Sequence, residues 1–263
     1  MIKAMMARLQ QGHRTMRYPK GSPPPLPERF RGLPALDGSN CDGCAESACL
    51  AACPTEALCL SPALSLDLGR CLFCGDCEGA CPEGSIAFGK DHRLSTSRRG
   101  DLVLGAGGND LELAHAMGKE LKRLLGRSLK LRQVSAGGCN ACEADTNVLN
   151  TVGWDLGRFG IQFVASPRHA DGVLVTGPVT KNMELALRKT WDAIPEPKVA
   201  IAVGACAISG GLYRDRPETL DGAGSMLPVD LWIPGCPPHP LTILDGLLRL
   251  VGSLRSGQLR RSG

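Results

Sequence analysis

The run LKLRQVSAGGCNACEAD, Leu129 to Asp145, sets a short strand-like stretch directly before two glycines and two cysteines, Cys139 and Cys142, at C-x-x-C spacing. Two thiols can form a redox dithiol, but they cannot complete a metal site alone. The other ligands must come from elsewhere in the chain. After residues 129–134, the stretches 161–165, 172–177, 198–204 and 229–234 also read as strands, and 142–153, 182–194 and 238–252 read as helices. Short apolar strands separated by helices predict a parallel sheet covered on both faces. In such sheets ligands gather beyond the carboxyl ends of the strands. Cys206 follows the strand at 198–204 and Cys236 follows the one at 229–234, each beside glycine, as Cys139 and Cys142 do after 129–134. Four thiolates on one rim would suit a [4Fe–4S] cluster, and a structural zinc ion would fit the same four ligands.

Working toward the N-terminus, a second cysteine-rich block extends from Asn40 to Phe88 in two similar halves. One reads CLFCGDCEGACP, with Cys71, Cys74, Cys77 and Cys81; the other reads CDGCAESACLAACP, with Cys41, Cys44, Cys49 and Cys53. Each half ends in a related tail, PTEALCL and PEGSIAF. CLFCGDCEGACP is the C-x2-C-x2-C-x3-C-P run of bacterial ferredoxins, in which the fourth cysteine ligates the other cluster. The block resembles the two-[4Fe–4S] ferredoxin family. That pattern assigns Cys41, Cys44, Cys49 and Cys81 to one cluster and Cys71, Cys74, Cys77 and Cys53 to another. Two structural zinc sites are the competing reading. Cys59 falls on the strand-like tail of one half and is expected in the core.

GGCNACEAD, ASPRHADGVLVTGPVTKNM, AIAVGACAISGG and IPGCPPHP, in that order, resemble the small-subunit family shared by [NiFe] hydrogenases and the 20 kDa (B) subunit of respiratory complex I. The likeness covers roughly residues 128–252 and is strongest to energy-converting membrane-bound hydrogenases of the formate hydrogenlyase and hydrogenase-4 type. It implies a flavodoxin-like α/β domain and a proximal [4Fe–4S] cluster on Cys139, Cys142, Cys206 and Cys236. It also implies a hydrogenase- or complex I-like large subunit as partner, further redox and membrane subunits, and a proton-relay role for Glu143. A helix-start carboxylate is the plainer reading of Glu143. The C-x-x-C spacing is the hydrogenase arrangement, whereas complex I relatives carry adjacent cysteines. Ala141 stands where hydrogenase relatives carry glycine, which leaves room for a nickel-free complex delivering electrons to quinone. On this reading the chain carries three [4Fe–4S] clusters, performs no bond chemistry alone, and fuses ferredoxin and small subunit in one polypeptide.

The remaining residues set bounds. The chain has 263 residues, is 43% hydrophobic and 4% aromatic, and carries a formal charge of +4. Residues 1–31 hold +6 of that charge, and the rest is net negative. No aromatic residues interleave with the basic tail, so nucleic acid is not expected as a partner. The glycine-rich GPVT and GACAISGG match no phosphate-binding fingerprint, so no nucleotide site is expected. No run approaches the ~20 apolar residues of a membrane span, and the N-terminus lacks a signal h-region. Thirteen cysteines in a reducing compartment then point to metal ligation and not to a disulfide framework. The expected location is cytoplasmic, on the inner face of the membrane through partner subunits.

The expected layout is a basic proline-rich arm over 1–36, a ferredoxin domain over 37–90, a linker over 91–108, the small-subunit domain over 109–254 and a basic tail over 255–263. Ile2, Met5, Met6 and Leu9 sit at helical spacing at the start of the arm. Asn109 is expected to cap a helix over 109–126. Arg168, His169 and Asp171 read as a structural turn, and Asp145 and His239 as neighbours of the cluster ligands.

Overall fold

The structure, a computed structural model, describes residues 2–12, 15–39, 41, 47–106, 111–118, 123, 128–254 and 258–259. Helix α1 (Ile2–Gln11) is followed by an irregular strap that reaches β1 (Pro34–Leu36). Helix α2 (Ala48–Ala51), strands β2 (Leu58–Cys59) and β3 (Ser65–Asp67), helix α3 (Asp76–Ala80) and strand β4 (Ile86–Phe88) come next. β1 pairs antiparallel with β4, Leu36 opposite Ile86, and β2 pairs antiparallel with β3. The two sequence halves thus repeat one device, a short cysteine-bearing helix followed by a strand.

The stretch expected as a linker is part of the fold wherever it is described. Strand β5 (Val103–Gly105) joins the order β2-β3-β5, with Leu66 opposite Leu104. Leu94, Leu102 and Leu104 are buried, and Arg99 clasps Asp67 through two hydrogen bonds of 2.8 and 2.6 Å. The polar composition of this stretch hid three well-placed leucines, which supply the burial that holds it down. Residues 107–110 lie outside the described residues, and so does the expected cap Asn109.

The helix expected from Asn109 is not observed over residues 111–118, although Arg123, within the same expected span, is helical. Leu111–Glu112 form strand β6, and residues 113–118 are not helical. Leu111 and Leu113 are buried on either side of a partly exposed Glu112, which is a strand alternation within a segment whose leucines also fit a helical period.

The C-terminal half forms one parallel sheet. Its elements are β7 (Leu129–Ser135), α4 (Ala141–Val148), β8 (Ile161–Phe163), β9 (Gly172–Thr176), α5 (Lys181–Ala193), β10 (Val199–Val203), α6 (Ala205–Ser209), β11 (Leu231–Ile233) and α7 (Pro240–Leu250). The spatial order is β11-β10-β9-β7-β8, all parallel, which is the flavodoxin-like 2-1-3-4-5 winding. β9 and β10 are buried at every position, as strands covered on both faces must be. The edge strand β12 (Gln258–Leu259), in the expected tail, pairs antiparallel with β6.

Alternation along the strands separates two cores. Leu174, Val199, Ile201, Leu231 and Ile233 pack with α7, whose residues are all buried. Val173, Val175, Ala200, Ala202 and Trp232 belong to a second core shared with Leu66, Leu68, Leu102 and Leu104. The cysteine-rich unit therefore packs against one face of the sheet. Thr96 bridges Trp232 on β11, and the Ser209 hydroxyl donates to the Gly69 carbonyl at 2.9 Å.

The proline-rich arm is irregular, as expected, but it is tied down. The Tyr18 hydroxyl is buried and donates to Asp245 at 2.6 Å, while Arg158 donates to the carbonyls of Met16 (2.6 Å) and Tyr18 (2.9 Å). Asp245, fully buried on α7, is also held by Arg249 at 2.6 Å. Its charge is therefore paired, as a buried carboxylate requires. His92 sits against this lock, its ring nitrogen 3.4 Å from the Tyr18 hydroxyl. Burial pushes the His92 pKa below its usual value, against the pull of Asp245 and Asp91. The folded state thus binds the proton less readily than the unfolded chain. Stability contributed by neutral His92 is complete above pH ~6.5 and falls as pH drops from there toward the folded value. The melting temperature of the wild type should therefore decline between pH 7 and pH 5.5, and His92→Gln should flatten that decline.

Candidate iron–sulfur thiol sites

Three thiol sets emerge from the fold. The first lies on the carboxyl rim of the parallel sheet. β7 ends at Ser135, and the chain turns through Gly137 and Gly138 to Cys139; Asn140, with φ of 71°, then starts α4 and places Cys142 in its first turn. Cys206 is the second residue of α6, directly after β10, and Cys236 follows β11. The turns from β7 and β9 meet at the point where strand order reverses. At Gly177, φ is +83° and a Cβ would fall 2.5 Å from the Gly138 nitrogen, so this approach requires glycine there. At Gly204, φ is +92° and a Cβ would fall 2.5 Å from the Cys142 sulfur.

These four thiols share one electrostatic environment. Burial pushes Cys142 up, and Cys206, Cys236, Glu143 and Cys139 add to that shift in this order. Cys206 is pushed up to about 11 by burial and then by Cys236 and Cys139. Cys236 is raised by burial, then by Cys139 and by Cys74 of the N-terminal unit. The sheet rim and the cysteine-rich unit adjoin here, with Leu72, Phe73 and Cys236 lining one cleft.

The second set is built around α3. Burial raises Cys71 to about 12, opposed by the Phe73 N–H and reinforced by Cys77, Cys53 and Cys74. Cys77 is raised to about 11 by burial, then by Cys53 and Cys74. The third set joins Cys49, raised by burial and by Cys81 and Cys41. At Cys81 burial also raises the pKa, but N–H groups of Ser85, Glu83 and Gly84 outweigh it and the net shift is downward. Cys44 lies outside the described residues. Cys81 lines one pocket with Cys41 and Cys49 of the first half, and the charge of Cys53 acts on Cys71 and Cys77 of the second.

Backbone N–H groups point at several of these sulfurs: Ala57 at Cys53 (3.2 Å), Phe73 at Cys71 (3.3 Å) and Ser85 at Cys81 (3.3 Å). Such donors stabilise thiolate and tune clusters. Among the described residues, no three His, Cys, Asp or Glu side chains converge closely enough to hold one metal ion. Cys59, expected in the core, is exposed and its thiol faces the Ser61 carbonyl at 3.2 Å. The two residues of β2 alternate, and Leu58 takes the inward position.

Glu143 is buried beside the rim set, and the Thr176 hydroxyl, at the end of β9, donates to its Oε1 at 2.6 Å. Sequence reasoning missed Thr176, because a threonine closing a buried strand carries no distinguishing pattern. Asp145 is half-buried, and burial raises its pKa. It lines a cleft of about 320 Å³ with Phe30, Phe73, Cys236, His239 and Thr242. His239 caps α7, its Nδ1 accepting the Leu241 N–H at 3.1 Å. Burial and then His92 lower its pKa, and its ring packs edge-on to Phe30 and Trp154. Arg168 and His169 lie on an exposed 3-10 turn, and Asp171 accepts the Lys130 N–H at 2.7 Å, so this segment is structural.

Comparison with known proteins agrees with this geometry. The sequence profile described as NADH ubiquinone oxidoreductase, 20 Kd subunit, matches residues 139–250, a span that holds all four rim cysteines. A probable membrane-bound hydrogenase subunit of Pyrococcus furiosus is 40% identical over 129 residues, covering 49% of this chain and 77% of the relative. Formate hydrogenlyase subunit 7 of Escherichia coli is 40% identical over 139 residues, and the match spans 53% of this chain and only 54% of that protein. An NADH-quinone oxidoreductase subunit of Desulfovibrio desulfuricans is 41% identical over 125 residues, 48% of this chain and 68% of the relative. These relatives are subunits of oxidoreductase complexes. With this sheet order, four cysteines on one rim and relatives matched over two thirds or more of their length, the chain belongs to the family of the NADH ubiquinone oxidoreductase 20 Kd subunit.

Proposed function

We propose that the chain is an electron-transfer subunit carrying three [4Fe–4S] clusters, which links a redox donor module to the large subunit of a membrane-associated [NiFe] hydrogenase-like complex. The observation that carries this reading is the cleft that Leu72 and Phe73, in the second cysteine run, share with Cys236 of the rim, since it sets the two units side by side. A cluster on each set would supply one-electron acceptance and donation. The residues suit such groups: the thiols lie in sets that feel one another's charge, N–H donors aim at sulfur, and glycine at 204 leaves space at the Cys142 thiol.

The protein's own part is to hold these sets in a fixed series. The ligand sets are Cys41, Cys44, Cys49 and Cys81; then Cys53, Cys71, Cys74 and Cys77; then Cys139, Cys142, Cys206 and Cys236. The first two make a ferredoxin unit within residues 37–90, and the shared core that packs it on the sheet keeps the thiol sets from drifting apart. Glu143, buried and held by Thr176, would pass protons at the large-subunit interface. The chain would attach at the inner face of the membrane as part of the complex.

A nickel-free complex delivering electrons to quinone is the second reading, favoured by Ala141 and by the 41% identity to a relative from an NADH-quinone oxidoreductase. Anaerobic purification of the tagged chain with its native partners separates the two. Iron and acid-labile sulfide should be present, and H2 should reduce a viologen dye through the complex. Iron-loaded complex that ignores H2 but reduces quinone would establish the second reading. A preparation with zinc and no sulfide would overturn both.

A further inference from the structure

Helix α1 stands apart from the core. Ile2, Met5, Met6 and Leu9 occupy one stripe at i, i+3, i+4 and i+7, and they are 75%, 63%, 55% and 82% exposed. Lys3 and Arg8 flank the stripe, and no acidic residue precedes Glu28. A helix of ten residues with its apolar side in water is marginal by itself. It gains its stability where that side is buried. Beyond it, a cleft of about 360 Å³ is lined by Thr15, Met16, Arg17, Lys20, Gly21 and Arg158. Among the described residues, none of Lys3, Arg8, Arg17 and Lys20 pairs with a carboxylate. This cleft is rigidly mounted, because Arg158 holds the carbonyls of Met16 and Tyr18, and the Met16 N–H donates to Gly153 at 2.9 Å.

We propose that α1 and this basic cleft form a docking face for an anionic phospholipid surface. The aliphatic stripe enters the acyl boundary, and Lys3, Arg8, Arg17 and Lys20 meet lipid phosphates. The stripe has no aromatic anchor of the kind that concentrates binding energy at protein interfaces. Further cations, Arg17 and Lys20, line the cleft, so the positive charge of this end of the chain is not confined to the helix. Lipid offers apolar depth and diffuse negative charge together, which is the complement of both features. This attachment would belong to the chain itself. It goes beyond the electron-transfer reading and does not depend on it, because it uses no cysteine.

The test is co-sedimentation of the full iron-loaded chain with vesicles of phosphatidylcholine and phosphatidylglycerol in equal parts, compared with phosphatidylcholine alone. The chain should sediment with the anionic vesicles and be released by 0.5 M salt, roughly the range where surface charge is screened within a few ångströms. Met5→Asp with Leu9→Asp should weaken partitioning by about tenfold or more. Arg17→Gln with Lys20→Gln should weaken it about fivefold per charge. Iron content and visible absorbance should stay at wild-type values in both variants, which separates this result from any failure of the cluster reading. Absence of binding to anionic vesicles overturns the proposal, as does undiminished binding by the Met5→Asp, Leu9→Asp variant. So does protease protection of α1 in the detergent-purified complex that lipid does not increase, which would assign the helix to a protein partner.

Discussion

Cys206→Ala should remove about a third of the iron bound by the chain and abolish dye reduction by the assembled complex. On the proposed reading, three [4Fe–4S] clusters would distribute iron equally among three sets of four thiols, with Cys206 in the rim set only. Its thiol feels Cys236 and Cys139, and in turn raises Cys142, so its loss should break the rim set. The two N-terminal sets share no ligand with it and should keep their iron. A serial path tolerates no missing link, so activity should fall to background while the remaining iron still accepts electrons from dithionite. Cys59→Ala is the matched control. Its exposed thiol lies outside every set, and both iron and activity should stay at wild-type values. Iron analysis with dye-reduction assays on the two variants checks the assignment. Equal iron loss in both would overturn it.

Gly204→Ala should produce nearly the same defect without touching a cysteine. The backbone there has φ of +92°, outside the allowed regions for a residue with a side chain, and the new methyl would lie 2.5 Å from the Cys142 sulfur. Backbone strain of this kind costs about 1–3 kcal/mol, and the overlap must be relieved by moving the sulfur or the turn. Neither is free to move far. The Gly204 N–H donates to Ile233 at 2.8 Å, the Ala205 N–H donates to Gly235 at 2.8 Å, and Cys142 is anchored in α4. The expected result is loss of the rim cluster's electron paramagnetic resonance signal, with a melting temperature lowered by several degrees and the N-terminal signals intact. Gly153→Ala, at an open surface position, should leave both measurements unchanged.

The parallel sheet was legible residue by residue. All five strands and the three main helices of the C-terminal half lie within a few residues of where apolar runs predicted them, because strands buried on both faces must be nearly continuous in Val, Ile, Leu and Ala. The segments that misled were the amphipathic ones. Leu111, Ala114 and Met117 satisfy a helical period, yet Leu111 and Leu113 alternate as a strand, because β6 pairs with a segment about 150 residues later, at 258–259. The stretch 91–108 looked like a solvated connector because its leucines are sparse among polar residues. Their burial between two units cannot be read from local composition.

The sequence by itself determined which residues can carry the chemistry. Cysteine spacing is local, and turns after strands are marked by glycine, so the candidate ligand sets and the rim are legible in the sequence. Tertiary structure alone decided how the sets relate to one another. Cys74 and Cys236 are 162 positions apart, and no spacing rule connects them. Their units are brought side by side because Val173, Val175, Ala202 and Trp232 on one side of the sheet, and Leu66, Leu68 and Leu104 on the other unit, exclude water together. The same burial explains why Thr176 reaches Glu143, and why Tyr18 in a proline-rich arm finds Asp245 on the last long helix. Such pairings come from surfaces that become complementary only once folded. The chemistry is written in short motifs, and the path between the motifs is set by packing.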